Sequence, residues 1–157
     1  MPHPEICKPA PGFALPDQDG TVLKLADLRG KNVVVYFYPK AMTPGCTVQA
    51  CGIRDNESPF ANTNTVVLAL SPDPSARLKK FEEKHDLNFR LLSDEDHAVA
   101  DSYGAWGLKK FMGKEYMGIL RSTFILDSKG TLVHIMPKVK TKTHDQDVLD
   151  WINENLN

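Results

Sequence analysis

Asn32-Val33-Val34-Val35-Tyr36-Phe37-Tyr38 is followed by Pro39-Lys40-Ala41-Met42 and then by Thr43-Pro44-Gly45-Cys46. The first run is β-branched and aromatic without polar alternation, the pattern of a strand buried on both faces. Pro39 ends it, since proline brings no N–H to a ladder. Pro44-Gly45 can open a helix, with Thr43 as its N-cap. That helix is expected to run through Cys46 to about Asn56, with Pro59 barring further extension.

Upstream, Pro9 to Pro16 holds three prolines and a glycine and is expected to be extended and irregular. Asp19-Gly20 between Phe13-Ala14-Leu15 and Thr21-Val22-Leu23 reads as a small hairpin. Downstream, Thr65 to Leu70 is a second buried strand. Pro74 sits at the first position of a helix that keeps Leu78, Phe81 and His85 on one face as far as about Asp86. A short strand at Phe89 to Leu92 and a brief helix through Val99 and Tyr103, ending at Gly104, follow. Residues 105–118 read as loop. Ile119 to Leu126 and Thr131 to Met136 form a hairpin about the turn Asp127-Ser128-Lys129-Gly130. Thr143 caps a last amphipathic helix with Val148, Leu149, Trp151, Ile152 and Leu156 on its apolar side. Alternating strands and helices followed by a hairpin and a helix imply a three-layer α/β domain with a central mixed sheet, one domain over residues 1–157.

The composition narrows the function classes. With 19 Lys+Arg against 20 Asp+Glu, the formal net charge is -1, so no basic field invites a nucleic-acid backbone or an anionic membrane. The longest apolar run, Val33 to Tyr38, is too short to span a bilayer. Met1 to Pro11 has no apolar stretch of signal-peptide type, and a cytoplasmic location is expected. Three cysteines, Cys7, Cys46 and Cys51, do not describe a secreted disulfide framework. Cys7 is expected to be a small buried hydrophobe.

Cys46 is placed differently. A cysteine attacks only as the thiolate. Cys46 lies in the first turn of the expected helix, where unpaired backbone N–H groups and the dipole favour an anion. Its loop follows the C-terminal end of a buried strand, where open α/β sheets bind ligands. Arg121 stands near the start of a largely apolar strand, where it needs an anion nearby. A salt bridge at the surface would satisfy it. If 119–126 lies antiparallel to 32–38, however, Arg121 reaches the end of the sheet where Cys46 sits.

Pro39, three residues, Thr43, two residues and Cys46 resemble the active-site pattern of the peroxiredoxins. Val48-Gln49-Ala50-Cys51 extends the resemblance to the bacterioferritin comigratory protein, or peroxiredoxin Q, subfamily. Ala10-Pro11-Gly12-Phe13, Leu91-Leu92-Ser93-Asp94-Glu95, Gly113-Lys114-Glu115-Tyr116 and Arg121-Ser122-Thr123-Phe124 continue it along nearly the whole chain. Glu57 to Asn64, with Ser58-Pro59, is less typical. The resemblance implies a thioredoxin-like fold and a thiol peroxidase that needs no cofactor and no metal. Cys46 would be the peroxidatic nucleophile. Thr43, Arg121 and the backbone N–H groups near Gly45 and Cys46 would bind the peroxide, and Pro39 would shape the loop and keep water out. Attack drives charge onto the departing oxygen, which aimed donors stabilise. The resulting sulfenic acid condenses with a thiol.

By the same resemblance that thiol is Cys51, and the disulfide is recycled by thioredoxin or glutaredoxin. On a continuous helix, residues five apart lie roughly 8–9 Å apart at Cα, beyond disulfide reach. A static helix would leave Cys51 a buried helix residue, so the pairing requires part of the helix to unwind. A hydroperoxide substrate and a monomeric enzyme are expected. A thioredoxin-type oxidoreductase is the first rival, but it needs its cysteines two residues apart. A metal or redox-sensing module is the second, but Cys46, Cys51, His85 and His97 lack zinc-site spacing, and the two histidines are expected at the surface.

Overall fold

The computed structural model describes residues 3–156; Met1, Pro2 and Asn157, the outermost residues of the expected 1–157 domain, lie outside the described residues. In chain order the elements are β1 (Ala14–Pro16), β2 (Val22–Lys24), a 3-10 turn (Leu25–Leu28), β3 (Asn32–Phe37), α1 (Pro44–Asp55), α2 (Glu57–Asn62), β4 (Thr65–Ser71), α3 (Ser75–His85), β5 (Arg90–Ser93), α4 (Ala98–Ser102), β6 (Trp106–Phe111), β7 (Lys114–Ile119), β8 (Ser122–Leu126), β9 (Leu132–Met136) and α5 (His144–Asn155). Five strands form one mixed sheet in the order β5-β4-β3-β8-β9. β3 runs parallel to β4, β4 runs parallel to β5, and β8 is antiparallel to both β3 and β9. This is a thioredoxin-like α/β arrangement.

β3 explains the sheet's central position. Every one of its residues is buried, and alternate side chains feed two separate cores. Val34 and Tyr36, continued by Tyr38, join Ile53, Phe60, Leu78, Phe81, Val148 and Ile152 from α1, α2, α3 and α5 on one face. Val33, Val35 and Phe37 join Leu25, Val99, Tyr103, Ile119 and Phe124 on the other. A strand with two apolar faces can only be stable with a layer on each side.

Five expectations need correction. Residues 105–118 are not a loop, since β6 and β7 form an antiparallel hairpin that turns at Met112-Gly113. Both turn residues have positive φ, 52° and 79°, as a two-residue hairpin turn demands. The expected strand 119–126 is interrupted at Leu120-Arg121, so Arg121 stands in the junction between β7 and β8. Pro59 does not bar helix. It lies in the first turn of α2, where a missing N–H costs nothing, and the break comes at Asn56. Pro74 is the N-cap of α3 and not its first residue. Cys7 is exposed rather than buried, because the N-terminal segment runs along β9, with Cys7 N–H donating to the Leu132 carbonyl at 2.8 Å and the side chain left outside.

Candidate active site

The loop after β3 is clamped from β4 and α3. The Asp73 carboxylate accepts the Ala41 N–H at 2.7 Å and the Ser71 hydroxyl at 2.9 Å, and pairs with Arg77 at 3.1 Å. Arg77 in turn donates to the Ala41 carbonyl at 2.9 Å. Both backbone polar groups of Ala41 are thus held, next to Met42, whose φ of 69° is costly for a non-glycine residue. Pro39 is half-buried at the start of this loop.

Thr43 is the N-cap of α1 and is extended, with φ -80° and ψ 154°. Its hydroxyl does not cap a helix N–H. It donates to the Lys40 carbonyl at 2.8 Å, which leaves its oxygen lone pairs to accept. Pro44 and Gly45 follow, and the Thr47 N–H closes the first helical bond onto the Thr43 carbonyl at 2.9 Å. The N–H groups of Gly45 and Cys46 therefore have no intrahelical partner. Cys46 is 2% exposed and free, and Cys51 is half-buried and free on the same intact helix.

β8 lies antiparallel to β3, with Tyr36 opposite Thr123 and Phe37 opposite Ser122. Arg121, just before Ser122, consequently reaches the C-terminal end of β3. Its Nη2 lies 3.5 Å from where a Cβ on Gly45 would stand, so the guanidinium rests against the first turn of α1. The Nη1 group donates to Gln49 Oε1 at 2.6 Å. Gln49 Nε2 meets His144 Nδ1 at 3.1 Å, and His144 Nε2 meets Thr123 Oγ1 at 2.7 Å.

Gln49, Thr123 and His144 are all buried. Burial, with the Arg121 charge beside it, holds the His144 imidazole down to about 4, so this histidine is neutral. Burial pushes the Tyr36 and Tyr38 hydroxyls far up, and the proximity of Cys46 pushes them the same way. Lys109 on β6 is a second cation near Cys46. Burial and then Arg121 lower its pKa, and Cys46 opposes them.

Cys46, Thr43, Gly45 and Arg121 are thus brought to one place at the end of β3, and Pro39 begins the loop that leads to it. Cys51 is on the same helix, one and a half turns on. Neither His85 nor His97 lies idle at the surface. His85 is edge-on to Phe81 at 5.5 Å, and His97 stacks on Trp106 at 3.7 Å. Sequence reasoning did not single out Asp73, Arg77, Lys109 or His144, and it placed Gln49 only within a motif. The Met112-Gly113 dipeptide was the one local signal for the hairpin that carries Lys109.

The sequence matches the AhpC/TSA family over residues 6–135. It is 52% identical over 146 residues to peroxiredoxin Bcp of Escherichia coli K12, covering 93% of this chain and 94% of that one. Against peroxiredoxin Bcp of Bacillus subtilis it is 46% identical over 150 residues, 96% of each chain. Among solved structures, the bacterioferritin comigratory protein of Xanthomonas campestris, studied for its alkyl peroxide reduction, superposes with a TM-score of 0.88 at 31% identity over 92% of both chains. A peroxiredoxin Q of Xylella fastidiosa superposes with a TM-score of 0.93 at 25% identity over all of both chains.

Proposed function

The chain belongs to the AhpC/TSA family and is a peroxiredoxin, a thiol peroxidase taking a hydroperoxide substrate and a thiol reductant, and from that premise we propose a role for each residue of its site. Cys46 is the peroxidatic nucleophile. Its thiolate attacks the nearer peroxide oxygen. An S–O bond forms, the O–O bond breaks, the peroxide proton stays on the oxygen bound to sulfur, and the departing alkoxide or hydroxide takes up a proton from solvent to leave as alcohol or water. The N–H groups of Gly45 and Cys46 and the Arg121 guanidinium donate to the oxygens as charge moves across them. Thr43, whose hydroxyl donates to the Lys40 carbonyl, accepts from the peroxide O–H. Pro39 shapes the loop and keeps water from the sulfur.

Cys46 is left as a sulfenic acid. The Cys51 thiol condenses with it, releasing water and forming an intramolecular disulfide. Because α1 holds the two residues too far apart for that bond, the start of the helix unwinds in each cycle. Thioredoxin, or glutaredoxin, reduces the disulfide by exchange. The enzyme acts as a single domain, as a monomer and in the cytoplasm. The observation that carries these assignments is a buried thiol in the first turn of a helix with a guanidinium laid against that turn.

The test is peroxide consumption coupled to thioredoxin, thioredoxin reductase and NADPH, run beside a glutaredoxin arm. Cys46→Ser is expected to abolish turnover, and comparable turnover by that variant removes Cys46 from its role. Peptide mapping after one equivalent of peroxide is expected to find a Cys46–Cys51 bond. A dominant bond through Cys7 or between chains overturns the assignment of Cys51.

A further inference from the structure

His144 is 1% exposed, at the first position of α5, in the middle of a buried polar chain that starts at the active-site arginine. The donor and acceptor order along that chain is dictated from one end. A guanidinium can only donate, so the Gln49 oxygen must face Arg121 and the Gln49 NH2 must face His144. His144 Nδ1 must then be an unprotonated acceptor, and the ring proton sits on Nε2 and donates to Thr123. An imidazolium would set N–H against N–H. Turning the Gln49 amide to relieve that would set its NH2 against Arg121. A neutral histidine of one tautomer is the only arrangement in which every link is satisfied.

The chain has a second property. Gln49 lies between Cys46 and Cys51, within the segment that has to unwind, while Arg121, Thr123 and His144 belong to the parts that stay: the β7–β8 junction, β8 and α5. Gln49 is the only member that moves away when the start of α1 opens. Opening therefore breaks two hydrogen bonds at once, one buried and one partly buried, and frees the Arg121 guanidinium from its place against Gly45.

We propose that His144 is a positioning residue: acting through Gln49, it fixes Arg121 beside Cys46 and latches the start of α1 in the closed form that reacts with peroxide. This rests on the assignment of Cys46 and Cys51 above. The latch predicts opposite effects on two steps. Weakening it slows attack on peroxide, because Arg121 is no longer held, and speeds disulfide formation, because the helix opens more readily. A residue that merely supports the fold would not separate the two steps in this way.

The test uses His144→Phe, which keeps a ring against Tyr36, 5.1 Å away, but has no polar atoms. His144→Asn restores an acceptor where Nδ1 stood. Three quantities are measured: hydrogen exchange over residues 44–51 in the reduced protein, the rate of sulfenic acid formation, and the rate of disulfide formation. For the Phe variant, exchange and disulfide formation are expected to quicken about tenfold and sulfenic acid formation to slow about tenfold, with the Asn variant recovering most of each change. Both rates unchanged, both falling together, or an Asn variant as impaired as Phe would overturn the latch. If the Phe variant does not fold, Thr123→Val removes the far link and is expected to move the same three quantities in the same directions; no movement overturns the proposal equally. The exchange measurement is made before peroxide is added. Faster exchange with no Cys46–Cys51 bond on mapping therefore sinks the resolving assignment and keeps the latch. The bond present with exchange unaltered does the reverse.

Discussion

Between Pro44 and Cys51, α1 buries Cys46, Gln49 and Ala50, none of them a large apolar side chain; from Gly52 to Asn62 the continuing chain buries Ile53 and Phe60. The first stretch is held from outside by Arg121 and His144 acting on Gln49. The second is held by apolar packing and by several polar ties. Arg54 donates to the His85 carbonyl at 2.6 Å, Asn56 donates to Asp145, and Asn88 donates to Glu57 at 3.0 Å. Gly52 marks the boundary. A Cβ there would stand 3.1 Å from the Asp145 carboxyl carbon, so the glycine leaves room for that side chain of α5 just past Cys51.

The difference separates two kinds of fastening. Apolar burial is non-directional and survives small movements, whereas a hydrogen-bonded chain ordered by one arginine is either made or lost. Local opening is drawn from the parts of a structure with the least buried apolar contact. The stretch proposed to move so that Cys46 meets Cys51 is that part, and the stretch just beyond is anchored.

The largest effect that would test this contrast is on the anchored side. Phe60→Ala is expected to destabilise the protein by about 3–5 kcal/mol in denaturant unfolding while the folded fraction reacts with peroxide at the parent rate. A peroxide rate that falls in step with stability would mean that the two stretches are one unit. On the latched side, Arg121→Ala is expected to slow the peroxide reaction by about a hundredfold or more, as read from the rate of sulfenic acid formation. Its unfolding midpoint is expected to shift far less than that of Phe60→Ala. An unchanged rate would remove Arg121 from the site.

The smallest effect concerns pH. In the fold, burial and Arg121 keep His144 neutral down to about 4, whereas an unfolded chain protonates histidine near 6.5. The unfolded state thus binds more protons between those values. The stability contributed by His144 is full above about pH 6.5 and is lost as pH falls toward about 4. Roughly 2 kcal/mol should disappear between pH 7 and pH 5. His144→Asn is expected to flatten that part of the curve in paired denaturant titrations, and an unchanged slope would show that some other group carries it.

Much of the fold could be read from the chain alone, because its central features are local. β3 announces its two-sided burial in seven consecutive residues. Pro39, Thr43, Pro44 and Cys46 stand within eight residues of one another, so the loop, the helix start and the place of the Cys46 thiol are set by backbone chemistry near them. The approach of Arg121 to the first turn of α1 was legible only as a condition, that its strand lie antiparallel to 32–38, and the β3–β8 pairing of the folded sheet meets it. The hairpin of β6 and β7 was not legible. Leu108, Tyr116 and Met117 are exposed, so neither face carries the clean alternation that marks a half-buried strand. The polar chain through Gln49, His144 and Thr123 was hidden for another reason. Gln49 and His144 are 95 residues apart. Each has an ordinary local explanation, a helix glutamine and a histidine at a helix start. Periodicity and propensity report which face of an element is apolar and where it begins and ends. Which donor meets which acceptor is decided only when the packed layers bring them within hydrogen-bonding distance, and Arg121, which can only donate, then sets the order of all the others.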